Sequence, residues 1–216
     1  MRSSRPAPLA LFVVAALMMA LAVAGATLAG KTATAQEEAS PAPVLHPITE
    51  GWSLLANTGP GASPAQLLAP LDGLVTAAFT YDAKEDRFKS YRAGVSGRND
   101  LTWVEAGQAL WVLVPEGRLG GDIAFLELPG QARRLPATLE SGFTLVGWTG
   151  TDGLRVSRAT EGLPVRRVYQ WDGASQRYRV WDTRVPAAAR DDFRLEYGAG
   201  LWVDLRGADS VTWYQR

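Results

Sequence analysis

The sequence predicts a mainly β protein with minor helix, built as two tandem, similar antiparallel β units that pack together after a signal segment. Three features carry that expectation: an apolar, charge-free opening, a chain that matches itself at a nearly constant offset, and aromatic-rich alternating segments divided by turn residues. Of the 216 residues, 47% are hydrophobic and 20% charged, a globular balance that excludes disorder throughout. Twenty-two basic and twenty-two acidic side chains cancel, so no strong field draws nucleic acid or an anionic membrane, and nucleic acid is not expected as a partner.

Arg2 and Arg5 precede residues 9–30, which carry no charge and consist mainly of Ala, Leu, Val and Met, the pattern of an export signal. Ala33, Thr34 and Ala35 supply a small-x-small site, so residues 1–35 are expected to be a signal peptide cleaved after Ala35, with a site after Ala26 as the alternative. The apolar run of 22 residues (30 − 9 + 1) is also long enough to span a bilayer; a membrane is a partner only if that segment is retained as an anchor. The expected location is secreted or cell surface. With no cysteine, neither disulfides nor lipid attachment through a thiol can contribute, and the core must hold the fold. Residues 36–47, rich in Ala, Pro and Glu, are expected to form a flexible leader, with His46 a solvated bystander inside it.

The self-match defines the rest. GWSLLANTG from Gly51 returns as GFTLVGWTG from Gly142 (142 − 51 = 91), and EAGQALWV from Glu105 returns as EYGAGLWV from Glu196 (196 − 105 = 91). Between them, FTYDAKEDRFKSY from Phe79 answers YQWDGASQRYRVW from Tyr169 (169 − 79 = 90). The expected organisation is a β repeat over 48–128, a linker over 129–138 and a second β repeat over 139–216. Each repeat holds about 80 residues, marginal for one unstapled core, so the two are expected to pack on each other.

Within each repeat the central match reads as a hairpin. A four-residue loop over 83–86 pairs Tyr81 with Phe88 and Asp82 with Arg87; the second copy pairs Trp171 with Tyr178 and Asp172 with Arg177. Both copies thereby expect a cross-strand ion pair beside an aromatic pair. Ser63 before Pro64 caps a short helix over 63–71, with no such cap in the second copy. Residues 110–114 and 201–205 read as strands, and 123–128 and 211–214 as the closing strand of each copy.

The GW-x-L opening, the YxWDxxxxRY hairpin and the GxxLWV strand resemble tandem repeats of secreted or surface bacterial proteins of unknown function. That resemblance covers about residues 51–214 and supplies no catalytic residues. The first copy departs from the second at Tyr81 against Trp171, and at Ala56 and Asn57 against Gly147 and Trp148.

Chemistry is sparse. One histidine and no cysteine rule out cysteine–histidine catalysis and the usual zinc sites within one chain, and no phosphate-binding glycine motif appears; no catalytic residue, metal or cofactor is assigned. Asp82, Glu85 and Asp86 lack the ligand spacing of a calcium loop. Paired carboxylates are available in Glu105, Glu196, Asp100 and Asp191, which keeps a secreted carbohydrate-active hydrolase as an alternative; a structural envelope component is another. The aromatic residues carry the main expectation. Phe79, Tyr81 and Phe88, with Tyr169, Trp171 and Tyr178, form an all-aromatic strand face expected to be core. Thr80, Lys89 and Tyr91 occupy the opposite face, as do Gln170, Arg179 and Trp181, and aromatics beside basic groups suit ligand stacking. The expected ligand-binding residues are therefore Tyr91, Trp181, Lys89 and Arg179, in a non-catalytic extracellular interaction module for a glycan or an extracellular protein.

Overall fold

The computed structural model describes residues 42–216 except 96, 131–133 and 208. The export segment and its cleavage point lie outside the described residues. The first half consists of β1 (Val44–Ile48), β2 (Gly51–Ala56), α1 (Pro64–Leu67), β3 (Ala77–Asp82), β4 (Arg87–Arg92), β5 (Ala109–Val114) and β6 (Ala124–Leu128). The second consists of β7 (Pro136–Leu139), β8 (Gly142–Gly147), β9 (Leu154–Arg155), α2 (Val156–Ala159), β10 (Val165–Asp172), β11 (Arg177–Asp182), β12 (Arg194–Leu195), β13 (Gly200–Leu205) and β14 (Val211–Tyr214). The fold is mainly β, and among the described residues all strand pairings are antiparallel. One four-stranded sheet has the order β2-β5-β3-β4 and the other β8-β13-β10-β11, the same order in the corresponding strands. Each half adds a two-stranded ribbon, β1–β6 or β7–β14.

Local chemistry explains the hairpin registers. Asp82 Oδ1 accepts from the Lys84 and Glu85 backbone N–H groups at 3.1 Å each, and Asp172 Oδ1 accepts from Ala174 and Ser175 at 3.0 and 3.4 Å. Such aspartate-closed turns set the loop length, and Tyr81 faces Phe88 and Trp171 faces Tyr178 as expected. The ring pairs form, with centroids 5.2 and 4.9 Å apart. The expected ion pairs do not. Arg87 binds Glu85 at 2.6 Å and Asp100 at 2.9 Å, while Asp82, committed to its own turn, takes Lys89 at 2.6 Å.

Ser63 caps α1 through a capping box with Gln66. The α-helix stops at Leu67 and a 3-10 turn over Ala69–Leu71 follows, where Pro70 has no N–H to donate. α2 starts at the matching place with no side-chain cap.

Two boundaries differ from the sequence reading. β1 begins at Val44, inside the stretch taken for a leader, and buries His46 to 6% exposure; β7 begins at Pro136, inside the stretch taken for a linker. Both contain proline, and both pair with the far end of their own half, so local composition reads as loop.

These ribbons decide which sheet face is covered. In the first half Ile48, Leu126 and Leu128 from the ribbon, and Leu67 from α1, pack on Ala78, Leu110 and Val112. In the second, Leu139 and Trp213 from the ribbon, and Val156 and Ala159 from α2, pack on Val168, Trp181, Leu201 and Val203. A third cluster of Leu54, Ala109, Trp111 and Leu145 joins the two halves. There Ala56 N donates to Gly198 O at 2.7 Å and Gly147 N to Gly107 O at 2.9 Å. The approach is so close that a Cβ on Gly147 would lie 2.4 Å from the Ala56 Cβ, which explains the glycine.

Candidate functional site

The uncovered faces of the two sheets meet at an aromatic cleft. Trp52 and Trp111 come from β2 and β5, Phe79 and Phe88 from the hairpin β3–β4, Trp171 and Tyr178 from β10–β11, and Trp202 from β13; together they line a cavity of about 480 Å³. Tyr81, Phe143 and Tyr169 extend it into an adjoining hollow of about 430 Å³ that shares Tyr178 and Trp202. The strands put these rings on one side because alternate residues of a strand share a face.

The rings are arranged with a two-fold relation between the halves. Trp111 meets Trp171 at 5.2 Å, and its counterpart Trp202 meets Tyr81 at 5.1 Å. Trp52 meets Trp111 at 6.0 Å and Phe143 meets Trp202 at 6.3 Å. Each hairpin therefore sits on the other half's central strand. Trp171 anchors one of them by donating from Nε1 to Trp52 O at 2.8 Å, while the Tyr81 hydroxyl donates to Asp86. The mostly tilted or edge-on contacts are favourable ring geometries. Much of the surface stays open: Phe88 is 51% exposed and Tyr178 and Phe143 are 41%. Burial raises the Tyr178 hydroxyl above its ordinary value, and the hydrogen bond to Asp86 raises that of Tyr81, so both phenols are neutral near pH 7. Such a cleft offers contact area rather than proton transfer.

The residues expected to bind ligand are placed otherwise. Trp181 is 5% exposed in the core of the second half, and Tyr91 packs half-buried on the core of the first. Lys89 is held by Asp82, and Arg179 lies 4.8 Å over the Phe193 ring and pairs with Asp191 at 3.3 Å. They form no open strip, and the face expected to be core is the open one. The reason is tertiary: the ribbons and short helices, distant in sequence, cover the Tyr91 and Trp181 faces. A usable signal did exist, since the face bearing Thr80 and Gln170 also carries Ala78 and Val168, small and β-branched residues suited to a close cover.

The carboxylates are not assembled into a pair. Asp100 accepts from Ser90 N at 2.6 Å and binds Arg87, Asp191 binds Arg179, and Glu105 and Glu196 line different cavities. Among the described residues no group of three His, Asp or Glu side chains could hold a metal. One charged cluster lies at the second half's end of the aromatic face. Arg167, stacked near Phe143 and Tyr169, and Arg166 both reach Asp204 Oδ2 at 2.6 Å. Close by, the Arg184 side chain holds Asp182 down to about 2.

His46 is the buried titratable group of β1, and desolvation lowers its imidazole from 6.5 to about 4. Unfolded chain therefore takes up this proton at a higher pH than folded chain. The stability contributed by neutral His46 is complete above about pH 6.5 and declines as pH falls towards 4. Urea titrations over that range are expected to show a steeper loss than in a His46→Gln protein; parallel curves would refute the linkage.

A scan of protein-family models, a search of curated proteins and a search of solved structures each found no match to this chain.

Proposed function

We propose that this protein is a non-catalytic interaction module of the cell exterior, and that the aromatic cleft holds an apolar segment of an extracellular protein partner. The observation that carries the reading is the cleft itself, where aromatic side chains from both sheets converge on one open surface without a lining carboxylate or ammonium. Exposed contiguous aromatic surface is costly for a protein with no use for it. Trp, Tyr and Phe are also the side chains enriched where proteins anchor one another. A cleft walled almost wholly by carbon favours an apolar peptide over a glycan, whose hydroxyls need polar partners. Placement outside the cell is supported by the residue 1–35 pattern.

Phage-displayed peptides selected on the exported form, residues 36–216, are expected to converge on apolar or proline-containing sequences and to quench tryptophan fluorescence on binding. Phe88→Ala and Tyr178→Ala should each weaken the selected peptide by about tenfold or more. Both rings are over 40% exposed, so melting should change little. Peptides that bind both variants as well as the parent, or binding to a glycan array alone, would sink the proposal.

A further inference from the structure

The two halves treat an equivalent polar cavity beside the seam differently. In the first half Thr80, 1% exposed, donates to Ala109 O at 2.9 Å and accepts from Gln108 Nε2 at 3.1 Å. Gln108 Oε1 in turn accepts from Glu105 N at 2.9 Å. These buried groups are thus answered within the protein. In the second half Gln170 stands at the place of Thr80 (170 − 80 = 90), and Ala199 at the place of Gln108 (199 − 108 = 91). The larger amide has come in just where its partner has been reduced to a methyl group.

Gln170 is 6% exposed and its Oε1 has no hydrogen-bond partner among the described residues. His46 is also 6% exposed, its Nε2 is unanswered in the same way, and it lines the same cavity of about 500 Å³. The corresponding residue of the other half is Ala137 (137 − 46 = 91), so the second cavity alone has this pair. The imidazole is tightly placed, because a Cβ on Gly198 would lie 2.5 Å from His46 Cε1. A buried polar atom left without a partner is expensive, and two on residues that line one cavity are an invitation to a ligand that carries hydrogen-bonding groups.

The chemistry around the pair narrows that ligand. Thr49 and Ser53 line the cavity with hydroxyl groups, of which Thr49 Oγ1 donates to Gly173 O at 3.1 Å and Ser53 Oγ accepts from Thr49 N at 3.4 Å; Glu196 and Asp172, the latter held by its own turn, stand in its wall, and Trp171 supplies an indole shared with the aromatic cleft. Arg179 also lines it but is engaged by Asp191, and buried His46 is neutral near pH 7, so no free cation is aimed inward to select an anion. An amide oxygen, a neutral imidazole, hydroxyls and one flat apolar ring together match a ligand whose adjacent hydroxyls both donate and accept and whose C–H face can lie on an aromatic ring. The volume is in the range of small-molecule sites.

We propose that this cavity binds a neutral, polyhydroxylated ligand of the size of a monosaccharide, contacting His46 and Gln170. The site shares Trp171 alone with the aromatic cleft and does not depend on the function assigned to that cleft.

The chain has a single histidine, so the imidazole nitrogen resonances report this cavity without ambiguity. Titration of the exported protein with free glucose, galactose and N-acetylglucosamine is expected to shift the His46 Nε2 resonance, with a Kd of about 1 mM or tighter for at least one sugar. The double variant Gln170→Thr, Ala199→Gln installs the first half's self-satisfied arrangement and should weaken that response by about tenfold or more. Ala199→Gln alone places the same amide against Gln170 and serves if the double variant fails to fold. Phe88→Ala, in the other cleft, should leave the response unchanged. No shift with any of the three sugars, an unaltered Kd in the Ala199→Gln protein, or loss of the response in Phe88→Ala would each overturn the proposal.

Discussion

Replacing Trp148 by alanine is expected to destabilise the protein by about 3–5 kcal/mol. Trp148 is 0% exposed and stacks on Trp213, itself 1% exposed, with centroids 5.3 Å apart. Both indole N–H groups are answered, by Thr151 O at 3.2 Å and Ala159 O at 2.9 Å, so truncation removes packing and one hydrogen bond, leaving Thr151 O only the Leu154 N–H at 3.3 Å. The surroundings cannot collapse readily, since Gly150 lies directly against the Trp148 ring; a Cβ there would sit 2.4 Å from it. Urea unfolding followed by near-ultraviolet dichroism will measure the loss. The same change at Trp171, half-buried in the open cleft, should cost clearly less, and equal losses at the two positions would contradict the assignment of faces.

Asn57→Leu is expected to cost about 2–3 kcal/mol although no exposed contact is touched. Asn57 is 0% exposed, and its Nδ2 donates to Pro60 O at 2.9 Å, Glu105 O at 3.2 Å and Val104 O at 3.3 Å, while its Oδ1 accepts from Gly59 N at 3.1 Å. Leucine has similar bulk and none of these groups. Asn57→Asp should be at least as damaging, because a carboxylate cannot donate to three carbonyl oxygens and would bring buried charge against them. Thermal unfolding should shift by roughly 4–12 °C for a chain of this size. A shift within error for both variants would show that the network contributes nothing. Asn57 and Trp148 occupy equivalent positions (148 − 57 = 91), so the halves stabilise the same corner by different physics, one with a hydrogen-bonded amide and the other with stacked indoles.

Much of the local structure was legible in the residues alone. The alternation through Phe79 and Tyr81, the aspartates that close the hairpin turns, and the Ser63–Pro64 helix start all act over a few residues, and each element is found where that chemistry puts it. The internal offset also marked strands that take the same order in their two sheets. Ion-pair partners were less legible, because Asp82 can satisfy its own turn before it reaches across the hairpin. Strands β1 and β7 were hidden, since a proline-bearing segment gains its hydrogen bonds only from a partner at the far end of its half.

The sequence by itself determined which side chains share a strand face: Phe79 with Tyr81 and Phe88, and Thr80 with Lys89 and Tyr91. Tertiary structure alone decided which of those faces meets water. A period of two separates the faces but does not label them, and the cover comes from ribbons and helices whose positions depend on long-range packing. That choice placed Trp181 in the core, opened the ring of Trp52, Phe88, Tyr178 and Trp202, and brought His46 and Gln170, 124 residues apart (170 − 46), into the lining of one cavity.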